Sequence, residues 1–197
     1  MGGYNKTITR TFHIKNMVCN CCIILLKEKL GQAGIVVDNI QLGTVTVTGS
    51  PTLIIDKFID NFLGKYGFER IKDREFQLIE QIKISVIELI HQLNNVDSVV
   101  RKSDYMVEKL GLSYSYLSRI FSSHEPITLE KYIILQKMER IKELINHNEY
   151  TLSEIAFMMD YCSVQYLSSQ FRKETGLSVT DYKKSTFVLK KPIDKLY

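Results

Sequence analysis

Apolar and polar positions alternate at the start of the chain. Ile8, Phe12 and Ile14 face one way around Arg10, and Thr7, Thr9, Thr11 and His13 face the other, which predicts a half-buried strand. From Cys22 the period changes to that of a helix, with Cys22, Leu25, Leu26 and Leu30 on one side and Gly31 and Gly34 closing it. Residues 36–42 and 44–48 are strand-like runs around Gly43, a hairpin pattern. Pro51 then opens a second helix over 53–66, striped by Ile54, Ile55, Phe58, Phe62 and Leu63, and Gly67 ends it before a short strand at 68–71. The order βαββαβ predicts an α+β, ferredoxin-like amino-terminal domain over residues 1–73.

Residues 74–97 read as a long connecting helix, with Ile79, Ile82, Val86, Leu89 and Leu93 at alternating steps of three and four. Such a seam needs a partner, either a flanking domain or a second copy, which would make a dimer through residues 79–93. Polar residues at 94–103 mark a boundary, and 98–197 reads as all-α. Ser103 is expected to cap a helix that Gly111 stops, and Ser113 to cap the next, over 114–123. Pro126 and Thr128 precede a long helix with Tyr132, Leu135, Met138, Ile141, Leu144 and Ile145 inward. Thr151 and Glu154 form a capping box, Ser163 introduces a helix over 164–175, and Gly176 ends it.

Within this half one plan occurs twice. Ser113, Leu117, Ser118 and Phe121 match Ser163, Leu167, Ser168 and Phe171 in residue type and spacing. A DNA-recognition helix must bury one side on its own domain and turn polar groups toward base edges. In the first copy Leu117, Ile120 and Phe121 fit the buried side, and Tyr114, Ser115, Ser118 and Arg119 the outer one. In the second, Leu167 and Phe171 face inward, Val164, Gln165, Ser168 and Ser169 point away, and Arg172 and Lys173 lie near the phosphates.

These residues resemble the AraC/XylS transcription regulators. The resemblance rests on L-G-L-S-Y-S-Y-L-S-R-I-F at 110–121, L-S-E-I-A at 152–156, Y-L-S-S-Q-F-R-K-E-T-G at 166–176, and the close at Gly176, Ser178 and Tyr182. It implies a carboxy-terminal double helix-turn-helix domain whose partner is double-stranded DNA. Four positions depart from the family pattern: Asp160-Tyr161 replaces a frequent Gly-Phe pair, Val179 replaces a usual Pro, and Ser169 stands where a long basic side chain is common. Arg119 is therefore expected to contribute most to specificity, through two hydrogen bonds to a guanine edge.

Net charge adds little to this. The chain carries +4, yet residues 1–72 hold 9 Lys and Arg against 5 Asp and Glu, and the remainder holds 17 of each. Only local pairs such as Arg172 with Lys173 and Lys183 with Lys184 offer phosphate contacts. Cys19, Cys21 and Cys22 are too tightly clustered for a disulfide framework and point to metal or thiol chemistry in a reducing compartment. Cys19 and Cys22, two residues apart at a strand-to-helix turn, can hold one soft ion, Cu(I) or Zn(II). With Met17, they resemble the M-x-C-x-x-C motif of heavy-metal-associated domains, over residues 7–71. Cys21 reads as a buried or surplus thiol, Cys162 as a small core residue, and the four histidines as scattered.

No His, Asp or Glu accompanies the cysteines between 16 and 26, so the chain does not read as an enzyme. Without a long apolar run or a secretion-signal pattern, it is expected to be soluble and cytoplasmic. The expected function is that of a DNA-binding regulator responsive to a soft metal at Cys19 and Cys22. The alternatives are the same regulator with a metal-free first domain used for dimerisation or protein docking, and a metal chaperone or cysteine alkyl-transfer protein.

Overall fold

The threonine-rich alternation of the first strand decides which face of a sheet is buried. In the computed structural model, which describes residues 7–92, 102–184, 191–193 and 196–197, strand β1 (Ile8–Lys15) buries Phe12 and Ile14 and exposes Thr9 and Thr11. It pairs with β3 (Thr44–Gly49) on one side and β4 (Glu69–Ile71) on the other, while β2 (Val36–Gln41) joins β3, so the antiparallel sheet runs β2-β3-β1-β4. Helices α1 (Asn20–Gln32) and α2 (Asp56–Lys65) bring Leu26, Leu30, Ile59 and Leu63 onto the same core as Phe12, Ile14, Val45 and Val47. On the other face the hydroxyls of Thr9 and Thr48 meet at 2.5 Å, and those of Thr11 and Thr46 at 2.9 Å. Gly43 makes the hairpin possible. Its φ of +78° suits glycine, and a Cβ there would lie 2.5 Å from Ile84 Cδ1.

Helix α2 starts later than Pro51 predicts. The amides of Leu53 and Ile54 both donate to the Ser50 carbonyl, which forms a turn before the helix. That turn shifts the phase of the stripe, so Ile54 is fully buried while Ile55, at the N-cap, is exposed.

The chain divides into two compact units, Met1–Ile84 and Ser85–Tyr197. The helix read as a connector falls across this division: α3 (Arg74–Ile87) is followed by a π-helical turn, Glu88–Gln92. Ile79, Ile82, Val86 and Leu89 are all buried within the single chain, as expected if the seam packs on a flanking domain rather than on a second copy. Leu93 and the polar boundary at 94–101 lie outside the described residues.

The second unit is helical: α4 (Lys102–Leu110), α5 (Tyr114–His124), α6 (Leu129–His147), α7 (Leu152–Met158), α8 (Val164–Thr175) and α9 (Val179–Lys184). Ser103, expected as a cap, lies inside α4. Helix α6 is the spine. Its Met138, Ile141, Leu144 and Ile145 share a core with Ile155 and Ala156 of α7, Leu167 and Phe171 of α8, and Val179 and Tyr182 of α9. Among the described residues no helix is long and apolar enough to cross a membrane.

Candidate nucleic-acid interface and cysteine pair

Local sequence sets both short helices in the same way. Gly111 takes a φ of +66°, ending α4, and Ser113 caps α5 by accepting the Tyr116 amide. In the second copy Thr151 and Glu154 close a capping box on α7, and Ser163 caps α8 by accepting the Tyr166 amide at 3.1 Å. Asp160 sits in the turn between α7 and α8 with a φ of +59°, a left-handed backbone that favours glycine.

The anchors are buried as their spacing requires: Leu117, Ile120 and Phe121 in α5, Leu167 and Phe171 in α8. Phe171 meets the buried ring of Tyr182 edge-on at 5.4 Å, and Phe121 meets Tyr132 of α6 at the same distance. Helix α8 is tied to α6 by an ion pair between Lys131 and Glu174, whose other oxygen accepts Gln170 Nε2 at 3.0 Å.

Of the residues expected to point outward, Ser115, Arg119, Gln165, Ser169, Arg172 and Lys173 are exposed. Three differ. Tyr114 and Ser118 turn sideways, because Glu130 in the first turn of α6 accepts both hydroxyls, at 3.3 and 3.2 Å. Burial, followed by the charge of Glu130 and the bond to it, pushes the Tyr114 phenol up to about 12, so it remains a proton donor to that carboxylate. Val164, the first residue of α8, folds back against the core rather than pointing away. Ser168 is half-buried and, with Ser169, Arg172 and Lys173, lines an open cleft completed by Ser178 and Thr180.

Two exposed aromatic residues were not on the expected face. Tyr116 lies under the Arg119 guanidinium, 5.4 Å from ring centre to Cζ, and Tyr166 is 56 % exposed on α8. Their signal is in the repeat itself, since Tyr-Leu-Ser occurs at 116–118 and again at 166–168.

In the first unit Cys19 and Cys22 bring their sulfurs to 3.9 Å at the start of α1, both half-buried, with Met17 fully buried beneath. Burial acts to raise the Cys19 thiol, but bonds from the Cys22 and Cys21 amides and from both of their thiols outweigh it and leave it below its ordinary value. Cys21 is exposed rather than buried. Cys162 is exposed as well, because Tyr161 beside it takes the inward position. Among the described residues no group of three or more His, Cys, Asp or Glu side chains is placed to hold a metal ion.

This pair of capped, leucine-anchored helices defines a helix-turn-helix domain, and residues 106–185 match the family model described as "Helix-turn-helix domain". Curated relatives of this part are regulators. The chain is 27 % identical over 99 residues to the Xylose operon regulatory protein of Escherichia coli (strain K12), covering 50 % of this chain and 25 % of that protein. It is 23 % identical over 112 residues to the Probable transcriptional regulator LumQ of Photobacterium leiognathi, covering 55 % and 45 %. With the Msm operon regulatory protein of Streptococcus mutans serotype c it shares 26 % over 106 residues, covering 54 % and 36 %. The chain thus spans between a quarter and under half of the length of these relatives. A solved structure of the xylose-binding transcription activator xylR aligns at 18 % identity over 84 % of this chain and 36 % of that one, with a TM-score of 0.39, too loose to carry an argument.

Proposed function

We propose that this chain is a sequence-specific DNA-binding transcription regulator of the AraC/XylS kind, with α5 and α8 as its two recognition helices. The observation that carries this reading is the twofold recurrence of a serine-capped helix seated by a fully buried Leu and Phe, with polar residues exposed opposite. Both helices pack on α6, whose 19 residues make a spine about 28 Å long. With both helices carried on one spine, a single copy would address two successive major-groove turns. Ser115, Arg119 and the exposed Tyr116 are assigned to one groove, Gln165, Ser169 and Ser168 to the other, and Arg172 and Lys173 to phosphates. Tyr114, Ser118 and Val164 are reassigned to positioning α5 and α8, since Glu130 and the core hold them.

Enrichment of duplexes from a random pool tests this. Arg119→Ala should cost about 1–3 kcal/mol at one base position and leave the others unchanged. An equal loss on every sequence makes Arg119 a phosphate contact instead.

For the first unit we propose a ferredoxin-like domain that takes a soft ion at Cys19 and Cys22. Their sulfurs, 3.9 Å apart, are close enough for both thiolates to ligate one ion. Two sulfurs alone suit Cu(I) better than a closed Zn(II) site. A bound cation would supply positive charge at the turn into α1, where Cys19 and Cys22 would be its thiolate ligands. Uptake of Cu(I) by the wild type but not by Cys19→Ser or Cys22→Ser supports the site. Equal DNA affinity with and without bound Cu(I) would separate metal binding from regulation, and no uptake at all favours a first domain that serves dimerisation or docking.

A further inference from the structure

Gln136, on α6, is fully buried and divides its side-chain amide among three segments of the second unit. Its Nε2 donates to the Tyr132 hydroxyl and to the Ile193 carbonyl, both at 2.9 Å, and its Oε1 lies 2.9 Å from His91 Nε2. One turn along, buried Glu139 accepts the Lys191 amide at 3.1 Å through one oxygen and Lys142 Nζ at 2.6 Å through the other. Leu196 is buried in turn. Tyr197 sets its ring edge-on to Tyr132 at 5.9 Å, and its hydroxyl donates to Glu125 at 2.6 Å.

Buried polar side chains that lose their partners are costly, so a helix surface carrying Gln136 and Glu139 is built to be covered by backbone. What covers it also reaches α5. Tyr132 packs on Phe121, the anchor of α5, and Glu125 is the residue that ends α5. Helix α8 is held by different groups, Tyr182 against Phe171 and Lys131 on Glu174.

From these contacts we infer that residues 191–193 and 196–197 form a brace that positions the recognition helix α5, acting through Tyr197 on Tyr132 and Glu125 and clasped by Gln136 and Glu139. The functional meaning rests on the DNA-binding reading above, but the brace itself does not. Gln136 joins it to His91 in the π-helical turn, so the segment entering this unit and the brace share one buried amide.

Hydrogen exchange on the full chain, read by mass spectrometry, tests the inference. The double variant Leu196→Ser with Tyr197→Ala should speed exchange of α5 amides about tenfold while α8 keeps its wild-type rates. Tyr197→Phe, which removes the bond to Glu125 and keeps the ring, should give a smaller change in the same direction. Unchanged α5 exchange in the double variant overturns the inference, and so does equal acceleration in α5 and α8, which would mean general loosening. On a duplex enriched by the wild type, the double variant should lose discrimination only at base pairs that Arg119→Ala also affects. If the wild type enriches no duplex, the DNA-binding reading fails while the exchange rates still decide the brace.

Discussion

Replacing Leu167 by alanine tests whether α8 is seated as described. The side chain is fully buried among residues of α6, α7 and α9. Truncation removes three carbons, worth about 2.4 kcal/mol at about 0.8 kcal/mol per buried methylene. The cavity left behind adds to this, because the walls contributed by α6 and α7 relax only in part, so the expected total is about 3–4 kcal/mol. That is a large share of the roughly 5–15 kcal/mol typical of a folded domain. Urea unfolding followed by circular dichroism should show a clearly lower midpoint with little change in slope, with exposed Ser169→Ala as a control within about 0.5 kcal/mol of wild type. Leu117→Ala, the equivalent position in α5, should behave alike. A loss below about 1 kcal/mol at Leu167 would refute the assignment of its face, and with it the outward placement of Gln165 and Ser169.

Other consequences follow from particular contacts. Asp160 holds a left-handed backbone, so Asp160→Val should cost about 1–3 kcal/mol in the same urea assay while Asp160→Gly should not destabilise. Thr151→Ala, which opens the capping box on α7, should cost about 1 kcal/mol, and no loss would mean that the box does not hold the helix start. Acid should weaken the first unit through Asp60 and Asp56. The Arg70 guanidinium, bonded to Asp60 at 2.6 and 3.1 Å and to Asp56 at 2.9 Å, holds both carboxyls below their ordinary values. Their contribution is fully present above the ordinary carboxylate pKa near 4 and is lost as pH falls through the lower folded values, so urea midpoints should drop from about pH 4 downward. Arg70→Gln should flatten that drop, and an unchanged acid profile would contradict the pairing.

The parts of the fold legible in the sequence are those where structure is local. Ser113, Thr151 and Ser163 announce helix starts because each cap acts three residues away, and Leu117 and Leu167 announce buried faces because the helical period repeats within a few turns. Hydroxyl-bearing threonines alternating with Ile8, Phe12 and Ile14 likewise mark the first strand. What stayed hidden depends on partners distant along the chain. Nothing periodic links Tyr114 and Ser118 to Glu130, or Gln136 to Ile193, and both contacts exist only once α6 has formed. Pro51 misled for another reason: it sits one turn too early, in a bend that Ser50 closes by accepting two amides. The seam at Ile79, Ile82, Val86 and Leu89 was legible as a buried stripe, but a stripe does not state whether its cover is the same chain or another copy. At the cysteines the spacing predicts two convergent sulfurs and the structure has them 3.9 Å apart, whereas the fate of Cys21 depends on the direction of one exposed bond.

Duplex enrichment with the wild type, Arg119→Ala and Gln165→Ala side by side tests the central claim most directly. The account predicts one preferred site in which the two variants relax different base positions, separated by about one helical repeat of 10–10.5 base pairs. Enrichment of no preferred site, or relaxation at the same positions by both variants, would contradict two recognition helices reading successive turns of DNA.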